Sequence, residues 1–296
     1  MAHFPRILVL CATVAMGDLA CFAQSAPKAE DPVSQIAATL KPTRQVIYKS
    51  TPTRELKLHL FEPKGFKSTD KRPVFVAIHG GGWVGMGPER FYPFAAHFAE
   101  LGMFGISIEY RLASRKQGTG TTPFECVKDA RSAIRYIRDH AAELGIDPGR
   151  VIACGGSAGG HLAASTALFD AVNEEGEPTQ TSPIPQALVL LFPVIDTSSK
   201  GYGNALIGPR WQEIDPLHHV RKGLPPTLVF HGTGDTTTPF EGAKSFHEAM
   251  LAAGNHCELV VNEGGKHGYL MRDRTLFDET LKRTEQFLRS HGLLQN

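Results

Sequence analysis

The sequence has few of the features that mark disulfide-stabilised or metal-binding proteins. It contains five cysteines in 296 residues, and only Cys126, Cys154 and Cys257 follow the first 23 residues. An odd number of widely spaced cysteines is not a disulfide framework, which leaves either one bridge or free buried thiols. The chain also lacks a CxxC pair, an HExxH motif and any other regular ligand spacing. We therefore predict no metal site and no cofactor.

An excess of charge of either sign is also absent. The 31 Lys and Arg residues against 30 Asp and Glu residues give a formal net charge of +1. The charges are scattered, with no basic stripe and no acidic block. This distribution argues against a nucleic-acid partner and against a solvating tail.

The sequence has no apolar run long enough to cross a membrane. The N-terminal run from Ile7 to about Met16 is too short to span a bilayer. It follows Arg6 and precedes small residues up to Ala23, a pattern typical of a secretory signal peptide, with a buried N-terminal strand as the alternative. We predict a signal peptide over residues 1–23 and a secreted or periplasmic protein.

The rest of the chain divides into a short arm and one large domain. Residues 24–44 are rich in Pro, Ala, Lys and Ser, and predict a flexible arm with one short helix around residues 33–40. The chain is 42% hydrophobic, and its length is typical of a single α/β domain. We place this domain at residues 45–296.

The order of apolar patterns in this domain predicts an α/β fold. Residues 45–49 and 55–61 alternate apolar and polar side chains, as in an antiparallel pair. Short apolar runs without alternation, which suit strands buried on both faces, follow at 74–78, 104–108, 151–153, 187–192, 227–230 and 258–261. Helical patterns separate them at 91–101, 124–140, 158–169, 240–253 and 275–290. This alternation predicts a mostly parallel sheet flanked by helices, with ligands at the carboxyl ends of its strands.

A Gly-x-Ser-x-Gly motif lies between an apolar run and a helical pattern. It places Ser157 at a predicted strand-to-helix turn, where glycines allow unusual backbone angles and close approaches. The helix N-terminus and the amide of Ala158 would stabilise negative charge on an attacked carbonyl oxygen. We interpret Ser157 as a nucleophile, and a structural glycine-rich turn is the alternative.

A serine nucleophile needs a histidine and an acid that orients it. In this type of fold they follow in the order serine, acid, histidine. Asp235 and His267 each lie in a glycine-containing loop after a predicted strand, and we assign them as acid and base. Asp196 and Glu263 are the competing acids, and we rank both below Asp235. Asp196 leads into a long connection.

Glycines of a second motif, His-Gly-Gly-Gly-Trp, follow another predicted strand. We predict that the amides of Gly81 and Gly82 join that of Ala158 as oxyanion donors. Trp83 either forms a wall of the acyl pocket or covers the loop. We expect Trp83, Phe240 and Tyr269 to line the substrate pocket.

Three other histidines lie near these motifs and are interpreted as structural. His79 ends a predicted buried strand and is expected to brace the glycine loop rather than to transfer protons. His161 lies on the helix that follows Ser157, and His231 precedes the predicted acid. Packing or hydrogen bonding is the expected role of these last two.

Taken in order, the motifs resemble those of the α/β-hydrolase superfamily, in the esterase/lipase branch related to hormone-sensitive lipase. The matching segments are HGGGW, Glu109-Tyr110-Arg111-Leu112, GGSAGGHLA, Gly-x-x-Asp-x-x-x-Pro at 232–239 and His267-Gly268. The resemblance covers roughly residues 45–290. It implies an α/β-hydrolase fold with an eight-stranded sheet, and ester hydrolysis without a cofactor. It also implies the roles given above for Ser157, Asp235, His267, Gly81, Gly82 and Ala158.

The chain differs from the enzymes of this branch in the region of the cap. Related enzymes build a helical cap partly from a long N-terminal extension, whereas few residues precede the first strand here. We expect a cap that is small or absent, with residues 197–223 as the insertion that shapes a pocket wall. In this respect the chain is similar to secreted bacterial acetylxylan and feruloyl esterases, which implies an open site for short-acyl or carbohydrate-linked esters.

The sequence hypothesis is therefore a serine carboxylic-ester hydrolase that acts through an acyl-enzyme. Its expected partner is a small-molecule or polysaccharide-linked ester. A peptidase or amidase of the same fold is the alternative within enzymes. A non-catalytic binding protein that keeps the pocket is the alternative outside them.

Overall fold

The computed structural model describes residue 1, residues 31–114 and residues 120–295. The predicted signal peptide, apart from its first residue, lies outside the described residues and stays a prediction. All elements described below belong to the unit Asp31–Asn296.

One mixed sheet carries the fold. Its strands, in the described part of the chain, are β1 (Arg44–Ser50), β2 (Glu55–Phe61), β3 (Arg72–Ile78), β4 (Phe104–Ile108), β5 (Ile146–Gly156), β6 (Ala187–Leu191), β7 (Thr227–Gly232) and β8 (Cys257–Asn262). They lie in the order β1-β2-β4-β3-β5-β6-β7-β8. β2 pairs antiparallel with β1 and β4, and all other pairs are parallel. The predicted mostly parallel, eight-stranded sheet is confirmed.

Helices follow most of the strands, as the patterns predict. They are α1 (Pro32–Thr39), α2 (Tyr92–Glu100), α3 (Pro123–Asp139), α4 (Ala141–Leu144), α5 (Ala158–Leu168), α6 (Asn204–Ile207), α7 (Phe240–Ala252) and α8 (Arg274–Ser290). Two of them, α4 and α6, are single turns that no periodic pattern in the sequence predicts. α1 falls in the segment for which we predict an arm with a short helix.

The central strands are buried on both faces because helices cover each face of the sheet. Along β3, Val74 and Val76 pack into a core with α3, α5 and α7, whereas Phe75 and Ala77 pack into a second core with α1, α2 and α8. Successive side chains of a strand point to opposite faces, so a strand covered on both faces must be apolar throughout. This is why β3 shows a continuous apolar run.

The connection between β6 and β7 contains little regular structure. Residues 197–223 form the single turn α6 and two short 3₁₀ helices, Trp211–Ile214 and Pro216–His219. Among the described residues, this connection holds no longer helix that could form a cap. The described connection therefore supplies no long helix to cover the carboxyl ends of the central strands.

Cys126, Cys154 and Cys257 are free and buried in the structure. Burial raises the pKa of the Cys154 thiol well above its ordinary value. Within the part of the chain that is described, no helix has the length and apolarity needed to span a bilayer.

Candidate active site

Ser157 lies on a strained turn between β5 and α5. Its backbone φ of 56° and ψ of −124° are unusual for a residue with a side chain. The turn is held by a hydrogen bond from its N–H to the Leu191 carbonyl at 2.9 Å. A methyl group on Gly159 would lie 2.1 Å from the Ile78 carbonyl oxygen, so this position excludes any side chain. The close approach brings the end of β3 against the turn that carries Ser157.

His267 lies within hydrogen-bond distance of Ser157. Its Nε2 is 2.9 Å from Ser157 Oγ, and its Nδ1 is 2.7 Å from Asp235 Oδ2. An ionised carboxylate only accepts hydrogen bonds, so Nδ1 carries the proton and Nε2 is free to accept the serine proton. The three residues come from the ends of β5, β7 and β8. They form one continuous hydrogen-bonded chain from carboxylate to hydroxyl.

Asp235 is almost wholly buried and heavily hydrogen-bonded. Its Oδ1 accepts the backbone N–H groups of Thr237 and Thr238 at 2.8 and 2.9 Å. Burial alone would raise the pKa of Asp235, but hydrogen bonds from His231, His267 and the Thr238 backbone hold it well below its usual range. The carboxylate is therefore ionised near neutral pH and can stabilise a positive imidazole.

The competing acids lie elsewhere. Asp196 accepts the backbone N–H of Ser198 at 2.8 Å, in the connection after β6. Glu263 is exposed and accepts a hydrogen bond from the Thr233 hydroxyl. Neither carboxylate contacts His267. The structure therefore brings His267 together with Asp235, the acid that we ranked first.

Thr238, which the sequence pattern does not single out, contacts both Asp235 and His267. Its hydroxyl donates to Asp235 Oδ2 at 2.9 Å and lies 3.1 Å from His267 Nδ1. The buried His231 ring fixes the same turn because its Nε2 donates to the Thr238 carbonyl at 2.8 Å. The threonine lies three residues after the acid, but neither its type nor its spacing marks it in the sequence.

The glycine loop after β3 lies beside the serine. Gly81 and Gly82 have positive φ values of 100° and 61°. No hydrogen bond among the described residues uses the amide N–H of Gly81, Gly82 or Ala158. Amides of this kind, near the Ser157 hydroxyl and at the N-terminus of α5, can bind a negatively charged oxygen.

His79 braces this loop from below, as expected. Its Nδ1 donates to the Gly80 carbonyl at 2.9 Å, and its ring stacks on Tyr110 with the ring centres 4.3 Å apart. The Tyr110 hydroxyl lies within hydrogen-bond distance of the carbonyls of both His79 and Gly80. Burial lowers the pKa of His79 to about 4, so the ring is neutral at physiological pH. His161 is similar: burial lowers its pKa to about 4, and its Nε2 donates to the Ile214 carbonyl.

A cavity of about 360 Å³ opens above Ser157 and His267. Its walls combine glycine backbone, apolar side chains and three charged residues. The lining consists of Asp31, Gly80, Gly81, Gly82, Met86, Arg90, Phe91, Gly156, Ser157, Phe192, Tyr202, Thr237, His267, Gly268, Met271 and Arg272. The cavity is therefore bounded by the same loops that carry the hydrogen-bonded chain.

The three side chains that we expected in the substrate pocket do not line this cavity. Trp83 is fully buried and packs against His161, because its positive φ of 64° turns the chain inward after the glycines. Phe240 begins α7 and its ring contacts His231. Tyr269 packs against the core on the α8 face, one residue beyond the lining Gly268. This part of the site prediction was wrong.

The cavity wall includes a residue from the predicted arm. Asp31 caps the N-terminus of α1 by accepting the Ser34 N–H at 2.8 Å. Its carboxylate also pairs with both terminal nitrogens of Arg90, at 2.6 and 3.0 Å. A bidentate pair of this kind fixes both side chains in one geometry. The segment before β1 therefore helps to shape the site.

Comparisons with known proteins find similarity to esterases. The BD-FAE family model matches residues 58–250. The carboxylesterase NlhH of Mycobacterium tuberculosis is 38% identical over 230 residues, 68% of this chain and 67% of that protein. The probable isoprenylcysteine alpha-carbonyl methylesterase ICMEL1 of Arabidopsis thaliana is 29% identical and covers 76% of this chain. This chain spans about half the length of that plant relative and of the mycobacterial LipM and LipQ.

Solved structures extend the likeness over nearly the whole described domain. The apo form of Thermogutta terrifontis esterase 2 has a TM-score of 0.81 and 39% sequence identity. The match covers 86% of this chain and 96% of that one. Structures of the same esterase with bound propionate and bound butyrate are similar to this chain to the same degree.

Proposed function

Since the chain belongs to the BD-FAE family of α/β-hydrolase esterases, we propose that it hydrolyses carboxylic esters through an acyl-enzyme on Ser157. The observation that carries the proposal is the hydrogen-bonded chain Ser157–His267–Asp235, with distances of 2.9 and 2.7 Å. A serine hydroxyl is a weak nucleophile on its own, and this arrangement supplies the base that it needs.

In the first step, His267 Nε2 takes the proton from Ser157 Oγ as the oxygen attacks the ester carbonyl. The buried Asp235 carboxylate holds the imidazole in the required tautomer and stabilises its positive charge. The negative charge that develops on the carbonyl oxygen is bound by the amides of Gly81, Gly82 and Ala158. His267 then gives the proton to the leaving alcohol, and the acyl group stays on Ser157.

In the second step, water attacks the acyl-enzyme. His267 accepts a proton from this water and returns it to Ser157 Oγ as the acid leaves. The same three amides bind the oxyanion in both steps. No group other than these residues and water takes part in the proton transfers.

We propose that the substrates are short-acyl or carbohydrate-linked esters. The cavity of about 360 Å³ suits a small acyl group beside the nucleophile. The described part of the β6–β7 connection forms no cap over it, so a bulky alcohol can extend outward. The propionate and butyrate complexes of the Thermogutta esterase support the preference for a short acyl group.

A substrate panel tests the proposal. We expect p-nitrophenyl acetate and butyrate to be hydrolysed with higher kcat/KM than the decanoate, and acetylated xylan or methyl ferulate to be cleaved as well. The matched p-nitroanilides should not be hydrolysed at a measurable rate, whereas a peptidase or amidase would cleave them as well. A fluorophosphonate should label Ser157. An absence of both ester hydrolysis and labelling would leave a binding protein as the better interpretation.

Thr238→Val is expected to lower kcat for p-nitrophenyl acetate by about tenfold with little change in KM. Valine keeps the shape but removes the hydroxyl that contacts Asp235 and His267, a loss of about 1–1.5 kcal/mol. Thr238→Ser restores the hydroxyl and should recover most of the rate. If the valine variant turns over at the wild-type rate, the hydroxyl does not position the pair.

A further inference from the structure

Tyr202 is a polar side chain of the cavity that the proposed mechanism does not use. It lies in the connection after β6 and lines the cavity together with Ser157 and His267. Its hydroxyl makes no hydrogen bond to any of the described residues. It is not among the buried polar atoms that lack a partner, so it faces open space in the cavity.

The backbone and ring of Tyr202 are held firmly. Its N–H donates to the Asp196 carbonyl at 2.8 Å, which closes the loop between these two residues. Its ring packs on the fully buried Trp83, with the ring centres 5.6 Å apart. The next residue, Gly203, lies so close to Trp83 that a methyl group there would stand 2.4 Å from the indole ring. The hydroxyl is therefore presented by a rigid support rather than by a loose loop.

The hydroxyl lies directly over the glycine loop. A methyl group on Gly82 would stand 2.4 Å from Tyr202 Oη. Gly82 thus leaves room for this hydroxyl, and any side chain there would displace it. Gly82 is also one of the residues whose amide is unpartnered in the described chain.

We propose that Tyr202 Oη donates a hydrogen bond to the carbonyl oxygen of the bound ester as negative charge develops on it. This inference rests on the proposed function, and it adds a side-chain donor to the three backbone amides. The phenol keeps its proton throughout, so the proton transfers of the mechanism are unchanged. Trp83 has a role in this arrangement as well, because it is the platform that fixes the tyrosine ring.

Tyr202→Phe tests the proposal because it keeps the ring on Trp83 and removes only the donor. Loss of one oxyanion donor costs about 10²–10³ in kcat where it is well shielded. For a donor in an open cavity that also has three amides, we expect a loss of about 10- to 100-fold. KM and the melting temperature should change little. Tyr136→Phe is the matched control, because that tyrosine packs on His140 away from the cavity and its hydroxyl also has no described partner.

A thionoester separates contact with the carbonyl oxygen from a purely structural effect. Sulfur accepts hydrogen bonds poorly, so the wild type should prefer the oxygen ester over the p-nitrophenyl thionoester of the same acyl group. In Tyr202→Phe this preference should shrink, since the variant lacks the hydroxyl that binds a carbonyl oxygen better than a thiocarbonyl sulfur. An unchanged preference, or a wild-type kcat in the variant, would overturn the proposal.

The failure of this inference can be told apart from failure of the proposed function. If the wild type cleaves the esters and Ser157→Ala does not, the mechanism stands whatever Tyr202→Phe does. If Ser157→Ala keeps the wild-type rate, both are overturned.

Discussion

Ser157→Ala is expected to lower kcat for p-nitrophenyl acetate by about 10⁴- to 10⁶-fold. The change removes the nucleophile, so His267 has no serine proton to accept and no acyl-enzyme forms. The amides around the cavity remain and can still polarise a bound ester, which leaves a small residual rate. The measurement is initial-rate kinetics with enzyme at high concentration, together with a fluorophosphonate that should no longer label the protein.

The fold of the Ser157→Ala variant should be intact. Alanine has the same Cβ as serine and fits the same backbone angles, so the turn keeps its strain. Ser165→Ala is a suitable control, since Ser165 lies on the same helix, is buried and donates to the Leu162 carbonyl. This control should keep its activity within a few-fold. Near-normal turnover in Ser157→Ala would mean that the nucleophile lies elsewhere.

The strand-end residues of the site were predictable because two separate signals agree at each of them. Ser157, Asp235 and His267 all follow apolar runs that suit buried strands, and each has glycine neighbours that mark a tight loop. Parallel strands place their carboxyl ends at one edge of the sheet, so three residues distant in sequence had to meet there. The apolar runs can be recognised in the sequence because helices cover both faces of the sheet.

Side-chain directions in the loops were not predictable in the same way. Trp83 follows three glycines, and its inward turn depends on a positive φ that the motif does not reveal. Thr238 acts through contacts with residues three and 29 positions away, which no local pattern encodes. Asp31 reaches the cavity only because α1 packs near Arg90. In each case the missing information is tertiary packing rather than secondary structure.

The bounds of strand β5 were also only partly predictable from the sequence. The apolar run predicts a strand over residues 151–153, whereas β5 extends over Ile146–Gly156. Its early part contains Pro148 and Gly149, which usually interrupt strands. Ile146 nevertheless pairs with Arg72 of β3, at an irregularity in the register. Pairing with a neighbouring strand overrides the local preference here.

Asp235→Asn is expected to lower kcat by about 10⁴-fold. Asparagine keeps the size of the side chain, but its neutral amide cannot hold His267 in the tautomer that leaves Nε2 free to accept the Ser157 proton. It also removes the negative charge that stabilises the protonated imidazole. Glu263→Gln is the matched control, because that carboxylate is exposed and bonds only to Thr233 among the described residues. Equal losses in the two variants would contradict the assignment of the acid.

The same substitution should change how stability depends on pH. Burial would raise the pKa of Asp235, but its hydrogen bonds hold the pKa of the folded state below its usual range. An acid with a lowered folded-state pKa stabilises the fold above its unfolded pKa, and this contribution is lost as the pH falls through the folded-state value. The melting temperature of the wild type should therefore exceed that of Asp235→Asn at pH 7, and the difference should narrow below about pH 4. A gap that is constant from pH 7 to the acid limit would mean that the carboxylate is not held ionised by His231, His267 and Thr238.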